Sequence, residues 1–271
     1  MFDKCPSFKL KFLMRGVVFL QITFLGTGTS HGVPVIACDC EVCQSNNPKN
    51  KRMRTSIHIK SEEYNLLIDT PPEMRLELIA NKIKNVDSVL MTHAHADHIM
   101  GFDDIRALNW FQGKEMPVYG DHKTLNHIKK VFPYIFSEEN PGGGVPQVIL
   151  KKIEEEMHFK DLTVQPVPIY HGDNKILAYR INNFAYLTDC SKISESSLKL
   201  LEGIEYAAVD ALRFEEHPTH MSVDQAVELI ESLNLKHGYL THISHRLDHQ
   251  KLNDYLPEYV SPAYDGLKIE V

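Results

Sequence analysis

The sequence predicts an α/β domain built on two β-sheets, each covered by helices. Strand-like runs gather into an early and a late group, and each group is followed by helical patterns. No internal repeat, low-complexity tract or Pro/Ser-rich linker divides the 271 residues. Hydrophobic residues at 43% and charged residues at 24% suit one chain with a sizeable core.

The early group opens with Leu20–Leu25, then Ser56–Lys60 and Tyr64–Asp69 around a polar turn. Pro71-Pro72 suits the first turn of a helix reaching Ala80. Ser88–Met91 is a strand that runs into a histidine-rich loop, and Lys123–Val131 has a helical pattern. Residues 140–146, with Gly142-Gly143-Gly144, read as a loop and not as a domain linker. The late group comprises Leu162–Val167, Ile176–Ile181 and Phe184–Leu187, the last two joined at an Asn182-Asn183 turn. A helix over Ser194–Leu201 precedes a strand at Tyr206–Val209. Ser222 and Gln225 form a capping box that opens a helix to Leu233, and His237–Leu240 is the next strand. The domain is expected to span residues 16–271, with residues 1–15 as an N-terminal extension.

With 29 basic and 36 acidic residues the chain carries a net charge of −7, which argues against a general nucleic-acid binder. The run Val17–Leu20 falls far short of the ~18 apolar residues a span requires. No small-residue cleavage site follows a long apolar core, so a cytoplasmic location without a membrane partner is expected. Five cysteines, three of them between positions 38 and 43, do not suggest a disulfide framework.

The chemistry concentrates in Thr92-His93-Ala94-His95-Ala96-Asp97-His98. A lone His-x-His is often a solvated loop, whereas four metal-ligand types within six residues after an apolar strand point to metal binding. On an extended loop His93 and His95 project to one side, while Asp97 and His98 turn toward a neighbouring position. One loop can thus feed two adjacent ions.

With this His-x-His-x-Asp-His run the chain resembles the metallo-β-lactamase superfamily, from Leu25-Gly26-Thr27-Gly28-Thr29 to Thr241-His242. The resemblance implies a four-layer αβ/βα sandwich with two divalent metals, zinc or manganese, at one edge. It further implies His171, Asp189 and His242 as ligands. His93, His95 and His171 would then hold one ion and Asp97, His98 and His242 the other, bridged by Asp189. Asp97 is expected to serve the reaction also as partner of the bridging water.

Two further motifs narrow the resemblance. Cys38, Cys40 and Cys43 are spaced to converge on a structural zinc that needs a fourth ligand. Cys190 is one candidate, but His245 is preferred because Thr241-His242-Ile243-Ser244-His245 would carry one ligand to each site. His217-Pro218-Thr219-His220 precedes the capped helix, and His220 has no place among the dimetal ligands. These motifs resemble the phosphoribosyl 1,2-cyclic phosphate phosphodiesterases, the PhnP-like group. That resemblance implies an active-site role for His220, as proton donor or phosphate contact, and a structural zinc on three cysteines and His245.

The expected activity is hydrolysis of a small phosphodiester, with a cyclic ribose phosphate favoured, by a dimetal-activated hydroxide. Alternatives are a transfer-RNA 3′-processing endonuclease, a non-catalytic metal-binding carrier of cofactor biosynthesis, and on fold analogy a β-lactamase or thioesterase. RNA is the less expected partner, and a second copy of the chain is kept as another. Asp103, Asp104 and Arg106 read equally as pocket lining or a solvated helix start, and Trp110 reads as core.

Overall fold

The computed structural model describes residues 19–137 and 144–271; the expected extension 1–15 and most of the 140–146 loop lie outside them. The chain opens with β1 (Gln21–Gly26), α1 (Glu41–Gln44), β2 (Ser56–Lys60) and β3 (Asn65–Ile68). There follow α2 (Met74–Ala80), β4 (Ser88–Leu90), α3 (Ala96–Ile99) and α4 (Ile105–Gln112). Next come β5 (Met116–Gly120), α5 (His122–Val131) and β6 (Val148–Lys152). The second half runs through β7 (Met157–Phe159), β8 (Leu162–His171), β9 (Asn174–Ile181), β10 (Phe184–Leu187), α6 (Glu195–Leu200) and β11 (Tyr206–Asp210). It closes with α7 (Val223–Ser232), β12 (His237–Thr241), α8 (His249–Tyr255), β13 (Val260–Pro262) and β14 (Lys268–Glu270).

Two seven-stranded sheets result, ordered β14-β1-β2-β3-β4-β5-β6 and β13-β12-β11-β10-β9-β8-β7. Each has an antiparallel side, β14 to β3 and β7 to β10. Each also has a parallel side, β3 to β6 and β10 to β13. Parallel neighbours need a crossover, and α2 to α8 lie in those crossovers.

Strand alternation builds the layers. Phe184 and Tyr186 of β10 face the core between the sheets, with Phe24, Ile57, Ile59 and Tyr179. Their neighbours Ala185 and Leu187 face Val223, Ala226 and Ile230 in the helical layer behind. On the first sheet Val89 and Met91 likewise meet Met74, Ile105 and Leu125. Buried on both faces, these strands read as continuous apolar runs. The four-layer αβ/βα sandwich is the observed architecture, and among the described residues no helix is long and apolar enough to cross a membrane.

The capping box at Ser222 and the turn at Asn182, with φ of 52°, stand as expected. Other boundaries shift. Helix α2 starts at Met74, after Pro71-Pro72. Strand β8 runs to His171 despite Pro166 and Pro168, because β7 pairs only with Leu162–Val164. The prolines thus lie where β8 is a sheet edge, their nitrogens turned away from β9. Trp110 is 84% exposed and not core. Asp103 pairs with Arg106 in an exposed i,i+3 contact, a solvated helix start.

Phe24 is fully buried and packs on Tyr239 at 5.6 Å between ring centroids, joining β1 to the opposite sheet. Phe24→Ala is expected to cost about 3–5 kcal/mol, read as a lower urea midpoint at constant slope. An unchanged midpoint would contradict this account of the inter-sheet core.

Candidate functional site

The histidine-rich loop leaves β4 extended through His95, then winds into the single turn α3. The extended part presents His93 and His95 side by side, ring centroids 4.5 Å apart, and the turn swings Asp97 and His98 beside them. The second sheet supplies the rest from strand ends: His171 closes β8, Asp189 follows β10 and His242 follows β12. Asp189 and His242 adopt φ of 55° and 58°, left-handed values unusual for residues with a Cβ.

All seven residues meet. Ligand atoms of Asp97, His98, Asp189 and His242 lie within 4.8 Å of one another, as do those of His93, His95 and Asp189. His171, Asp189 and His220 form a third such group, so Asp189 belongs to all three. Its Oδ2 is 3.1 Å from His98 Nε2, and its Oδ1 is 3.4 Å from His242 Nε2 and 4.0 Å from His93 Nε2. Ligands at about 2.1 Å from one ion stand about 3.0–3.4 Å apart, the size of the Asp189 contacts to His98 and His242, while His93 at 4.0 Å stands somewhat farther off.

Hydrogen bonds behind the imidazoles decide which nitrogen faces the centre. His171 Nδ1 donates to the carbonyls of Asp189 and Thr219, at 3.1 and 2.8 Å, and His98 Nδ1 donates to Asp69 Oδ2 at 2.8 Å. The Thr92 hydroxyl donates to Asp69 at 2.7 Å, and so accepts from His93 Nδ1 at 3.0 Å. With Nδ1 carrying the proton, each Nε2 lone pair points inward. The buried Nε2 atoms of His93, His98 and His242 have no hydrogen-bond partner. Partnerless imidazole nitrogens around shared carboxylates are a donor set that fits divalent metal ions.

Electrostatics agree. Burial opposes a charged His98, yet the carboxylates of Asp189, Asp97 and Asp69 outweigh it and push its pKa well up. His242 is likewise pushed up to about 9, against burial, by Asp189, Asp97 and Asp210. Burial is also overridden at Asp189 and Asp97, which the surrounding histidines hold below the usual carboxylate range. His93, His95 and His171 are lowered, chiefly by burial.

His220 reaches the same cavity, its ring 4.7 Å from that of His171 and 4.6 Å from that of His242. Its Nδ1 bonds Asp210 Oδ2 at 2.8 Å, leaving Nε2 for the cavity. Two supporting carboxylates, Asp69 and Asp210, are not among the site residues expected from the sequence. Both follow an apolar strand run, as Asp189 does, and that was the available signal.

A separate cluster joins Cys38, Cys40, Cys43 and His245. His245 Nδ1 is 3.2, 3.5 and 3.6 Å from the three sulfurs in turn. Metal–sulfur and metal–nitrogen bonds of about 2.3 and 2.0 Å at the tetrahedral angle put S and N about 3.5 Å apart. The cluster therefore fits one closed zinc site. Cys190 is fully buried elsewhere and takes no part.

The model of the Beta-lactamase superfamily domain matches residues 64–243. The solved structure of a new diphosphatase from the PhnP family is 40% identical with a TM-score of 0.87, covering 93% of this chain and 97% of that one. The Octanoyltransferase of Porphyromonas gingivalis is 36% identical over 254 residues, 92% of this chain and 51% of that protein. A Ribonuclease Z of Methanococcus maripaludis is 22% identical over 157 residues, 56% of this chain and 46% of that protein. The chain thus spans about half the length of these two curated relatives.

Two outcomes are expected. Since His98 and His242 are both pushed up and must lose their protons to ligate, affinity for Zn²⁺ or Mn²⁺ should rise with pH across the neutral and alkaline range. Calorimetry in buffers of different ionisation enthalpy would show the released protons, and pH-independent affinity would contradict it. Cys40→Ser should lower zinc content by about one ion per chain and reduce the melting temperature; wild-type zinc content would remove the sulfur site.

Proposed function

The chain belongs to the metallo-β-lactamase superfamily and within it to the PhnP family, and from that premise we propose a metal-dependent phosphodiesterase acting on a small diester. The observation that carries the reading is the set of inward-facing, partnerless imidazole nitrogens around the shared carboxylate of Asp189. His93, His95 and His171 would hold one ion and Asp97, His98 and His242 the other, with Asp189 between them. Zinc or manganese bound there supplies Lewis acidity and a water of lowered pKa.

The chain's own groups then have distinct tasks. Asp97, kept ionised by His98 and His242, lies at the open edge and orients the attacking water. Asp69 locks His98 and, through Thr92, His93. Asp210 holds His220 so that Nε2 can give a proton to the departing alkoxide. A cyclic ribose phosphate is the favoured substrate, because opening its ring releases the alkoxide of a weakly acidic alcohol. Cys38, Cys40, Cys43 and His245 hold the structural zinc.

The relative called an octanoyltransferase does not redirect this reading. This chain matches only 51% of that protein. Among the described cysteines Cys38, Cys40 and Cys43 are gathered on His245, while Cys190 is fully buried, with burial pushing its thiol far up. None is left as a free accessible thiolate for acyl transfer. The Ribonuclease Z relatives support the same chemistry on RNA, but a chain of net charge −7 favours a small ligand over a polyanion.

Purified protein loaded with Mn²⁺ or Zn²⁺ should hydrolyse bis-p-nitrophenyl phosphate, and His95→Ala should abolish turnover with an unchanged circular dichroism spectrum. Full activity in that variant would overturn the ligand assignment. His220→Ala should cut kcat ~10²–10⁴-fold on diesters with alkyl leaving groups, and far less on p-nitrophenyl diesters. Equal losses on both would remove the general-acid role.

A further inference from the structure

The three cysteines of the sulfur cluster do not sit alike. Cys43 is buried, at 4% exposure, whereas Cys38, Cys40 and His245 are half-buried at the surface. Cys40 caps the single turn α1, and Cys43 lies within it. The Cys43 N–H donates to Cys40 Sγ at 3.5 Å, and the Val35 N–H donates to Cys43 Sγ at 3.3 Å. Cys40-Glu41-Val42-Cys43 is thus a C-x-x-C pair with one reachable sulfur and one sheltered beside it. In that layout the outer sulfur takes an oxidant and the inner one resolves it.

Zinc held there would keep the thiols deprotonated, and the thiolate is the oxidisable form. Ile36, Ala37 and Asp39, beside the two outer sulfurs, are exposed, so a small oxidant meets no wall. Carboxylates flank Cys40 on both sides, and that of Glu41 pairs with exposed Lys251 at 3.3 Å. Asp39 is left to repel anionic oxidants such as glutathione disulfide, whereas uncharged hydrogen peroxide is not repelled. Beneath the loop the apolar cluster is small, with Val33, Val42 and Cys43 as its buried members. Packing alone is therefore a weak substitute for a four-ligand contact.

We infer that the sulfur cluster is a reversible oxidation site, where hydrogen peroxide joins Cys40 to Cys43 and so loosens the neighbouring histidine–carboxylate centre. The inference rests on the structural-zinc reading of the four ligands. Cys40 Sγ attacks one peroxide oxygen, the O–O bond breaks, and hydroxide leaves behind a sulfenic acid. Cys43 Sγ then attacks Cys40 Sγ, the S–O bond breaks, and a second hydroxide leaves. The two sulfurs lose two electrons to the peroxide, and two solvent protons turn both hydroxides into water. Cys38 and His245 remain, half of a tetrahedral shell, which is too little to retain zinc. His245 then loses the contacts that hold it 3.2, 3.5 and 3.6 Å from the sulfurs. His242, three residues back, is held less firmly toward Asp189.

The test uses purified protein with zinc on the cysteines and Mn²⁺ in the histidine–carboxylate centre, so that released zinc reports the sulfur cluster alone. Hydrogen peroxide should release about one zinc ion per chain, read with a chromogenic chelator, and remove about two thiols. Peptide mass mapping should place the new disulfide between Cys40 and Cys43. Once the peroxide is removed, affinity for Mn²⁺ by calorimetry should be about 10–100-fold lower, as when a support behind metal ligands is lost. A phosphine reductant with added zinc should restore both, and Cys5→Ser should respond as the wild type does. Zinc and thiols that survive the peroxide, oxidation confined to Cys5 or Cys190, or zinc loss with unchanged Mn²⁺ affinity would each overturn the inference. A Cys40–Cys43 disulfide formed in protein that carried no zinc before treatment would instead overturn the structural-zinc reading and leave the oxidation site standing.

Discussion

Asp189 is fully buried, and its two carboxylate oxygens face the imidazoles of His98, His242 and His93 within 4.0 Å. An ionised carboxylate so placed is costly unless it is paired, and both sheets supply the pairing. His93 and His98 come from the first sheet, His171 and His242 from the second. The centre therefore exists only when the two sheets are stacked in register. That stacking is set by the inter-sheet core of Phe24, Ile57, Tyr179 and Tyr186. Packing and chemistry are linked through this one buried charge.

The parallel half of each sheet explains where the residues sit. Asp69, the His93–His98 loop, Asp189, Asp210 and His242 all lie at carboxyl ends of strands on the parallel sides. There the chain leaves the sheet before its crossover helix, and loop ends are free to turn inward. Asp69, Asp189 and His242 make that turn with φ between 55° and 64°. A residue with a Cβ pays about 1–3 kcal/mol in a sparsely populated conformation. Here the hydrogen bonds of Asp69 to Thr92 and His98 show what holds one of those turns in place. Glycine would relax the strain but remove the ligand.

Local signals were the legible ones. The run His93 to His98 is compact enough that its spacing alone points to metal chemistry, and Ser222 with Gln225 writes its own helix start. The sulfur cluster was half legible, since three cysteines are neighbours in sequence but His245 Nδ1 joins them across 202 to 207 positions. Asp69 and Asp210 could not be singled out. One aspartate after a strand is ordinary until its partner is placed, and Asp69 meets His98 only 29 residues later. Strands β5 and β6 are not visible in the sequence because Pro117 interrupts one and Lys151-Lys152 ends the other, and β6, at the sheet edge, pairs with β5 alone. The three-residue strands β7, β13 and β14 carry too few side chains to show a period. Trp110 lies on α4 facing solvent, against the usual burial of its type.

The sulfur cluster and the histidine–carboxylate centre share one short piece of chain. His242 turns to Asp189, while His245, three residues on, turns to the cysteines. Between them Ile243 is tied by its backbone, its N–H to Thr27 O at 2.9 Å and its O to Thr29 N–H at 3.3 Å. The loop carrying the cysteines is tied in turn, with Val35 N–H on Cys43 Sγ and Lys51 Nζ on Cys43 O. Each sulfur contact to His245 therefore limits how far His242 can swing from the buried carboxylate. Two differing donor chemistries follow from the same arrangement. Three thiolates and one imidazole make a closed, soft shell suited to zinc, whereas imidazoles and carboxylates around an exposed His95 leave an edge for substrate. Rigidity on one side of Ile243 is what lets the other side stay open without losing its geometry.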